Sequence, residues 1–592
     1  MTDWRRRHGW SLVLALALSL LGATPAWALK LEVKVEGLKG EREANVLALL
    51  SIYNERTEAG LTAERVEALH RQAPDQIREA LAPFGCYRVK IEDQLERPAN
   101  GEGVWRARYQ VEPGEAVRIT TIDYQVTGEG VTNPVFPKTF PMKVGDVLLH
   151  TQYEKAKSDI RYAATSAGYL DYRLARHQVL IDPLAYEAHV FFHLETGPQY
   201  RLGAVRFKQD LLDESLLQRY VRFKPGDVYN PDLLLGLQGR LLGSEYYSDV
   251  EIIPLKDELG ADNQVPIEVV AERNKANKYR IGLGFATDVG PRLTLDYRRR
   301  YITSRGHKLR TALSVAPAFS QWELDYRIPI QDPTRDYIII KPLSNYYDTA
   351  AYQGWIHSLQ AAHSTLSARG WRRNIGLDYR YEDLSVNENT MGATNELAPN
   401  ASWSKTVADD PVFTNDGYRL KYSLVGAVQG VVSQASYLSG QVQFKWIRRF
   451  ATNYRFITRA DLGATWADSV TDLPASRRFY AGGDNSIRGW GFDTLGPTDP
   501  LTDDTIGGRY LAVGSLELER RIKGPWSAAI FTDFGNAFDP DYAQELAQSA
   551  GMGVRWASPI GQVRLDLAFE LTKNSDDGVP PARLHIVIGP DL

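Results

Sequence analysis

Beyond residue 276 the chain writes apolar side chains at every second position, stretch after stretch. Tyr279, Ile281, Leu283 and Phe285 alternate with Lys278, Arg280, Gly282 and Gly284; Leu293, Leu295 and Tyr297 alternate with Arg292, Thr294 and Asp296. The pattern returns at Val442, Phe444 and Trp446 against Gln441, Gln443 and Lys445, and at Val563, Leu565, Leu567 and Phe569 against Arg564, Asp566 and Ala568. A period of two belongs to strands, not helices. Its polar face is charged, which suits a wet lumen better than the core of a soluble sandwich. The 316 residues from Asn277 to the end, at about 20 per strand and connection, predict a closed antiparallel barrel of about 16 strands.

Mean hydropathy is −0.34, which on average reads as soluble. No run of 18 apolar residues follows residue 28, so a bundle of membrane helices is excluded. A membrane barrel is not, because alternation hides its hydrophobicity from the average. Tryptophan usage agrees: nine of the 13 lie between Trp322 and Trp556, as interfacial girdles of a barrel require. The two halves of the chain are different materials.

Arg5, Arg6 and Arg7 precede an uncharged stretch at 11–21 and the small-x-small pattern Ala26-Trp27-Ala28. Residues 1–28 are thus expected to be a secretory signal peptide. Cys86 is the only cysteine, which excludes an internal disulfide and a cysteine zinc site, and its setting reads as a small buried hydrophobe. A formal charge of −4 gives no support for nucleic-acid binding.

Residues 29–275 divide into three units of about 80 residues. The second and third each open with a strand (117–126, 200–207) after a Gly/Pro turn. Each continues through Gly-Asp-Val (145–147, 226–228) into an amphipathic helix (153–167, 231–242). Each closes with two alternating strands: 176–182 with 189–195, and 249–255 with 265–271. The first unit is looser, with strands at 31–35, 87–91 and 105–111 and helix within 66–81. A three-stranded sheet with helices on one face buries one small core per unit, and its free edge suits addition of an extended segment from another protein. No catalytic or metal-binding cluster is apparent. His189 and His193 share a strand face but lie about 13 Å apart at strand rise. In the barrel half, His307, His357 and His363 show no recognised Ser–His spacing, so no enzyme is expected.

The segment Arg478-Phe479-Tyr480-Ala481-Gly482-Gly483-Asp484-Asn485-Ser486-Ile487-Arg488-Gly489-Trp490 is Gly-rich and carries a central arginine, with no Gly-Lys-Ser/Thr of a phosphate loop. It resembles the Val/Ile-Arg-Gly-Phe/Tyr loop of the Omp85 family of outer-membrane assembly barrels, with Trp490 for the usual Phe or Tyr. Phe531-Thr532-Asp533-Phe534-Gly535 resembles that family's Phe-x-Asp-x-Gly strand. Residues 551–566, from Gly551-Met552-Gly553 through Ser558-Pro559-Ile560-Gly561 to Asp566, resemble its penultimate strands. The resemblance implies that the loop, with Ile487, Arg488, Gly489 and Trp490, folds into the lumen, and that Arg488 pairs with Asp533 and then Glu517. Strand parity puts Glu517 opposite Leu516 and Leu518, on the lumen face.

By the same resemblance the three units are POTRA modules. The expected organisation is α+β repeats followed by membrane β: signal peptide 1–28, modules 29–114, 115–198 and 199–275, and a 16-stranded transmembrane barrel 276–592. Three modules, Asp288-Val289-Gly290-Pro291-Arg292 and the ending Ile588-Gly589-Pro590-Asp591-Leu592 are most like the TamA branch of the family. This implies assembly of other barrels, autotransporters among them, into the outer membrane. It also implies a TamB-like inner-membrane-anchored partner, unfolded outer-membrane proteins as clients, contact with outer-membrane lipid, and no cofactor. The alternative is a two-partner secretion pore exporting a soluble passenger. Barrel closure joins the first strand to the last. Gly282 and Gly284 weaken the packing of the first, and Pro590 limits pairing at the end of the last. We expect a weak seam there, marked by Gly282, Gly284, Ile586 and Ile588, that opens sideways.

Overall fold

A computed structural model describes residues 29–58, 60–98, 103–349, 351–386, 389–390, 393–500, 502, 504–558, 561–572 and 581–589. The expected signal peptide, Pro559-Ile560 of the motif region and the terminal Pro590-Asp591-Leu592 lie outside the described residues. The chain divides into two compact units. One holds the first two modules with part of the third, and the other holds the barrel with the rest of the third.

The module sheets share one topology, in which the last strand in sequence lies in the centre. In the first module, strand Lys30–Glu36 pairs parallel with Val104–Glu112, and Lys90–Glu96 pairs antiparallel on its other side. The central strand alternates, burying Trp105, Ala107, Tyr109 and Val111. They pack against helix Ala63–Leu81, which buries Val66, Leu69, Ala73 and Ile77 at helical spacing and starts where the Thr62 hydroxyl accepts from Arg65 N (3.3 Å). Cys86 is buried in this core with its thiol free.

The segment expected as a strand at 87–91 instead begins pairing at Lys90. Gly85 turns through the left-handed region (φ 78°) and its carbonyl accepts from Val117 N (2.9 Å). Tyr87 is thereby drawn into the second core, and its hydroxyl meets His150 Nε2 at 2.6 Å. In that module, strands Arg118–Thr127, Glu187–Glu195 and Arg173–Asp182 bury Ala188, Val190, Phe192 and Leu194 under helix His150–Ser166. The third sheet is built of Arg201–Lys208, Gln264–Arg273 and Tyr247–Pro254, with helix Pro231–Gly243.

The repeated Gly-Asp-Val is a shared turn. Gly145 and Gly226 both adopt φ 93°, a region that favours glycine. Asp146 accepts from Lys143 N (3.1 Å) and Asp227 from Lys224 N (2.8 Å). Val147 and Val228 then bridge to Arg118 and Arg201, at the start of each module's first strand.

From Asn277 to Gly589 the strands close into one antiparallel barrel. Sixteen strands form its wall, and the two-residue strand Asn389–Thr390 only prolongs one hairpin. Tyr279, Ile281 and Leu283 point outward, 72, 76 and 82% exposed, while Asp296, Asp325, Asp378, Glu517 and Asp533 are buried inside. Wall strands reach fifteen residues in Arg372–Val386, Thr394–Ala408 and Tyr437–Ala451, but the first, Asn277–Ala286, has ten and the last, Ala582–Gly589, eight. Within the barrel's unit, Asp213 N donates to Ser304 O (2.9 Å), Tyr246 Oη to Gly306 O (2.5 Å), and Arg222 pairs with Asp332 (2.9 Å).

Candidate functional site: a lumen loop and a barrel seam

Between wall strands Tyr454–Trp466 and Tyr510–Lys523 the chain turns into the lumen. There it forms a small hairpin, with Ala481 and Leu495 exchanging two backbone hydrogen bonds of 2.9 Å. Ile487 is fully buried with Ala481, Leu511, Val513, Ala537 and Ala547, and Trp490 packs on the edge of that cluster.

Arg488, 4% exposed, uses its whole donor set. Its Nε and Nη2 donate to the two oxygens of Asp533 (2.7 and 2.9 Å), a bidentate fork. Its Nη1 donates to Glu517 (2.8 Å) and Asp566 (3.0 Å), and its backbone N–H also reaches Asp533 (3.0 Å). Ser515 completes Asp533's shell at 2.6 Å. The structure therefore brings Arg488, Asp533 and Glu517 together and adds Asp566. Arg555, fully buried, ties Glu517 (2.7 Å) and Asp566 from the far side. Glu519 joins Arg455 (2.6 Å) and Gln562 (2.9 Å) one layer away. Charges removed from water persist only when paired and hydrogen-bonded in this way.

The Phe-x-Asp-x-Gly strand acquires a physical meaning here. Phe531, Asp533 and Gly535 share the lumen face, and Phe531 lies flat beneath Arg488, whose guanidinium carbon is 3.4 Å from the ring centroid. Gly535, at φ 144°, admits the neighbouring strand: a Cβ there would stand 2.2 Å from Ala512 O.

Eleven residues before Arg488, Arg477 anchors the loop's other limb on Glu396 (Nε, 3.0 Å) and Asp378 (3.3 Å). Ser476 binds Arg380 (2.8 Å) beside it. The loop thus spans from one wall of the lumen to another. Beside it lies a polar cavity of about 550 Å³, lined by Gln360, Lys421, Ser439, Gln441, Asp461 and Asp493 among others.

Asp484, in the same loop, meets the last strand and the turn that follows the first. Its Oδ1 accepts from His585 Nδ1 (2.6 Å), and its backbone N–H donates to Asp288 Oδ2 (2.5 Å). Gly489 N–H donates to His585 Nε2 (2.9 Å).

The barrel closes between its first and last strands. Among the described residues, first and last strands pair at a single register, Ala286 with Val587, supplemented by Thr287 N to Ile586 O (3.2 Å) and Ile586 N to the Thr287 hydroxyl (2.6 Å). The first strand pairs at ten positions with its other neighbour, and the last at eight. Gly282 and Gly284 therefore have no described partner on the last strand, and Ile588 lies one step beyond the paired register. Alternation fixes which face a residue takes, but closure fixes register. Gly282 also has room for a side chain, with only Thr294 Cβ at 3.8 Å from an added Cβ. On the outer wall, His357 Nδ1 lies 2.8 Å from Ser344 Oγ as a cross-strand neighbour, and among the described residues no carboxylate bonds this histidine.

Comparison with known proteins matches residues 275–591 to the Omp85 superfamily domain. Residues 32–113 match a description reading POTRA domain, TamA domain 1, and residues 200–272 match a POTRA family described as surface antigen variable number repeat. The outer membrane protein assembly factor BamA of Nitratidesulfovibrio vulgaris is 32% identical over 154 residues, covering 25% of this chain and 20% of the relative. BamA of Neorickettsia risticii is 20% identical over 457 residues, 67% of this chain and 56% of the relative. The chain thus spans about half the length of the latter and a fifth of the former. The crystal structure of BamA from Haemophilus ducreyi lacking POTRA domains 1–3 shares the fold, with a TM-score of 0.70 and 17% identity over 80% of this chain and 99% of that one.

Proposed function

This chain belongs to the Omp85 superfamily, and on that footing we propose that it is the barrel component of a translocation and assembly module, inserting β-barrel proteins such as autotransporters into the outer membrane. It is an outer-membrane barrel with its N-terminal POTRA modules in the periplasm. The match of the first module to a TamA-type POTRA domain supports this branch of the family. A TamB-like inner-membrane-anchored protein is the proposed partner, unfolded outer-membrane proteins are the clients, and no chemical step or cofactor takes part.

The observation that carries the proposal is the seam. Among the described residues, one paired register holds the first strand to the last, against ten on the first strand's other side. Parting it exposes a row of unpaired backbone groups, the template on which another strand adds. Meanwhile the loop that Arg477 and Arg488 stretch between walls occupies the lumen, which favours a sideways route over an axial one.

The test is a disulfide between Ala286→Cys and Val587→Cys, the residues that face each other across the seam. Oxidised protein in native membranes should lose client insertion and recover it on reduction. Equal insertion by the locked and reduced forms overturns the lateral route. Membrane co-purification of a large inner-membrane protein supports the proposed partnership; a secreted passenger in its place would not.

A further inference from the structure

We propose that Asp484 is a clasp through which the lumen loop holds the seam shut, so that loop seating and seam closure are one equilibrium; this regulates the lateral opening proposed above and rests on that reading. Three contacts carry it. Asp288 stands two residues beyond Ala286, and His585 two before Val587, so in the antiparallel register the two stand opposite each other, two steps to one side of the pair described at the seam. Asp484 touches both: its carboxylate accepts from His585 Nδ1 at 2.6 Å, and its N–H donates to Asp288 at 2.5 Å. Asp288 N returns a bond to Asp484 Oδ2 at 3.3 Å. The loop is therefore a third strap across a junction whose own strands share little.

The histidine's geometry says how the strap is held. Gly489 N–H donates to Nε2 (2.9 Å), so Nε2 carries a lone pair and the proton sits on Nδ1, pointed at Asp484. Asp288, Asp484 and His585 place ligand-type atoms within 4.8 Å of one another, as a metal would need. Both ring nitrogens are already engaged, however, so the arrangement reads as a hydrogen-bonded latch. The latch is also releasable. Two carboxylates face each other in it, and among the described residues Asp288 Oδ1 is buried without a partner, a cost that opening relieves. Gly489 adjoins Arg488, so the arginine anchor and the clasp move as one segment. Seating the loop makes both, and unseating it frees both strands at the seam.

The experiment uses the full chain carrying Ala286→Cys and Val587→Cys in native membranes, with the rate of disulfide formation under mild oxidant as the measure of seam closure. Asp484→Ala should slow it at least threefold, and His585→Ala likewise. The double variant should be no slower than either single one, because both remove the same strap. Unchanged rates, or effects that multiply, overturn the clasp. Folding is checked by heat-modifiable gel migration. Should Asp484→Ala fail that check, Asp288→Ala severs the strap from the other strand and must show the same slowing. Client insertion is scored separately. Slower cross-linking with unchanged insertion keeps the clasp and removes the assembly reading, while unchanged cross-linking removes the clasp alone.

Discussion

The ring of Phe531 occupies the space that a side chain on Gly551 would need: a Cβ at Gly551 would lie 2.3 Å from the ring's Cζ. The ring in turn is the floor on which the Arg488 guanidinium rests. One missing side chain on a neighbouring strand thus sets the height of the loop's anchor. Gly551→Val should push the ring into the arginine and destabilise the barrel by about 1–3 kcal/mol, the usual cost of overpacking. Urea midpoints read from heat-modifiable migration check this, and an unshifted midpoint would contradict it.

Among the described residues, Arg488 is the one donor common to Asp533, Glu517 and Asp566. Arg488→Ala leaves these carboxylates buried with a charge deficit, and should cost about 3–5 kcal/mol. Arg488→Lys keeps the charge but loses the fork, so it should fall between. Protease access to residues 482–495 in intact membranes should rank wild type, Lys and Ala in that order. Equal protection of all three would remove the arginine's role in seating the loop.

Cross-linking also tests the seam's register. Ala286→Cys with Val587→Cys should form a disulfide readily. Gly282→Cys with Ile586→Cys, a pair out of register by this geometry, should form little under the same oxidant. Comparable yields from both pairs would show a first strand sliding against the last.

The modules should weaken in mild acid. Burial holds the His70 imidazole below its ordinary value, with Asp93 pulling the other way, and burial likewise depresses His150. Tyr87, pushed up to about 12 chiefly by burial, keeps the hydroxyl proton it shares with His150. A histidine whose folded pKa is depressed binds more protons when unfolded. Its share of stability is therefore complete above about pH 6.5 and lost as pH falls toward the folded value. Amide exchange in helices Ala63–Leu81 and His150–Ser166 of the full chain, corrected for intrinsic rates, should show less protection at pH 5.5 than at pH 7.5. Greater protection at the lower pH would reverse the sign and refute the argument.

What could be read from the sequence follows from which contacts are local. Alternation is local, so the barrel, its lumen face and the position of Glu517 were legible. Asp533 was legible through a motif. Asp566 sits on the polar face of an alternating run and parity alone would have offered it, but nothing in that run says which arginine it meets. Asp484 and His585 are 101 residues apart, and their pairing exists only because closure brings the loop under the last strand. Arg477 likewise finds Glu396 across 81 residues. The seam's register is not local either: composition marks Gly282 and Gly284, whereas the register is set by the ring of sixteen strands as a whole.

The barrel's staves are of unequal height, and this bears on the lipid around it. At about 3.3 Å per residue and a tilt of about 45°, fifteen residues rise roughly 35 Å, while the eight described in the last strand rise roughly 19 Å. A bilayer's hydrocarbon is about 30 Å thick. Lipids beside the tall wall meet a matching surface, and those beside the seam must thin to keep their tails covered. On the lateral route proposed above, the membrane is then softest on the side where the described strands pair least, and the lipid surrounding it becomes a second, oriented part of the opening.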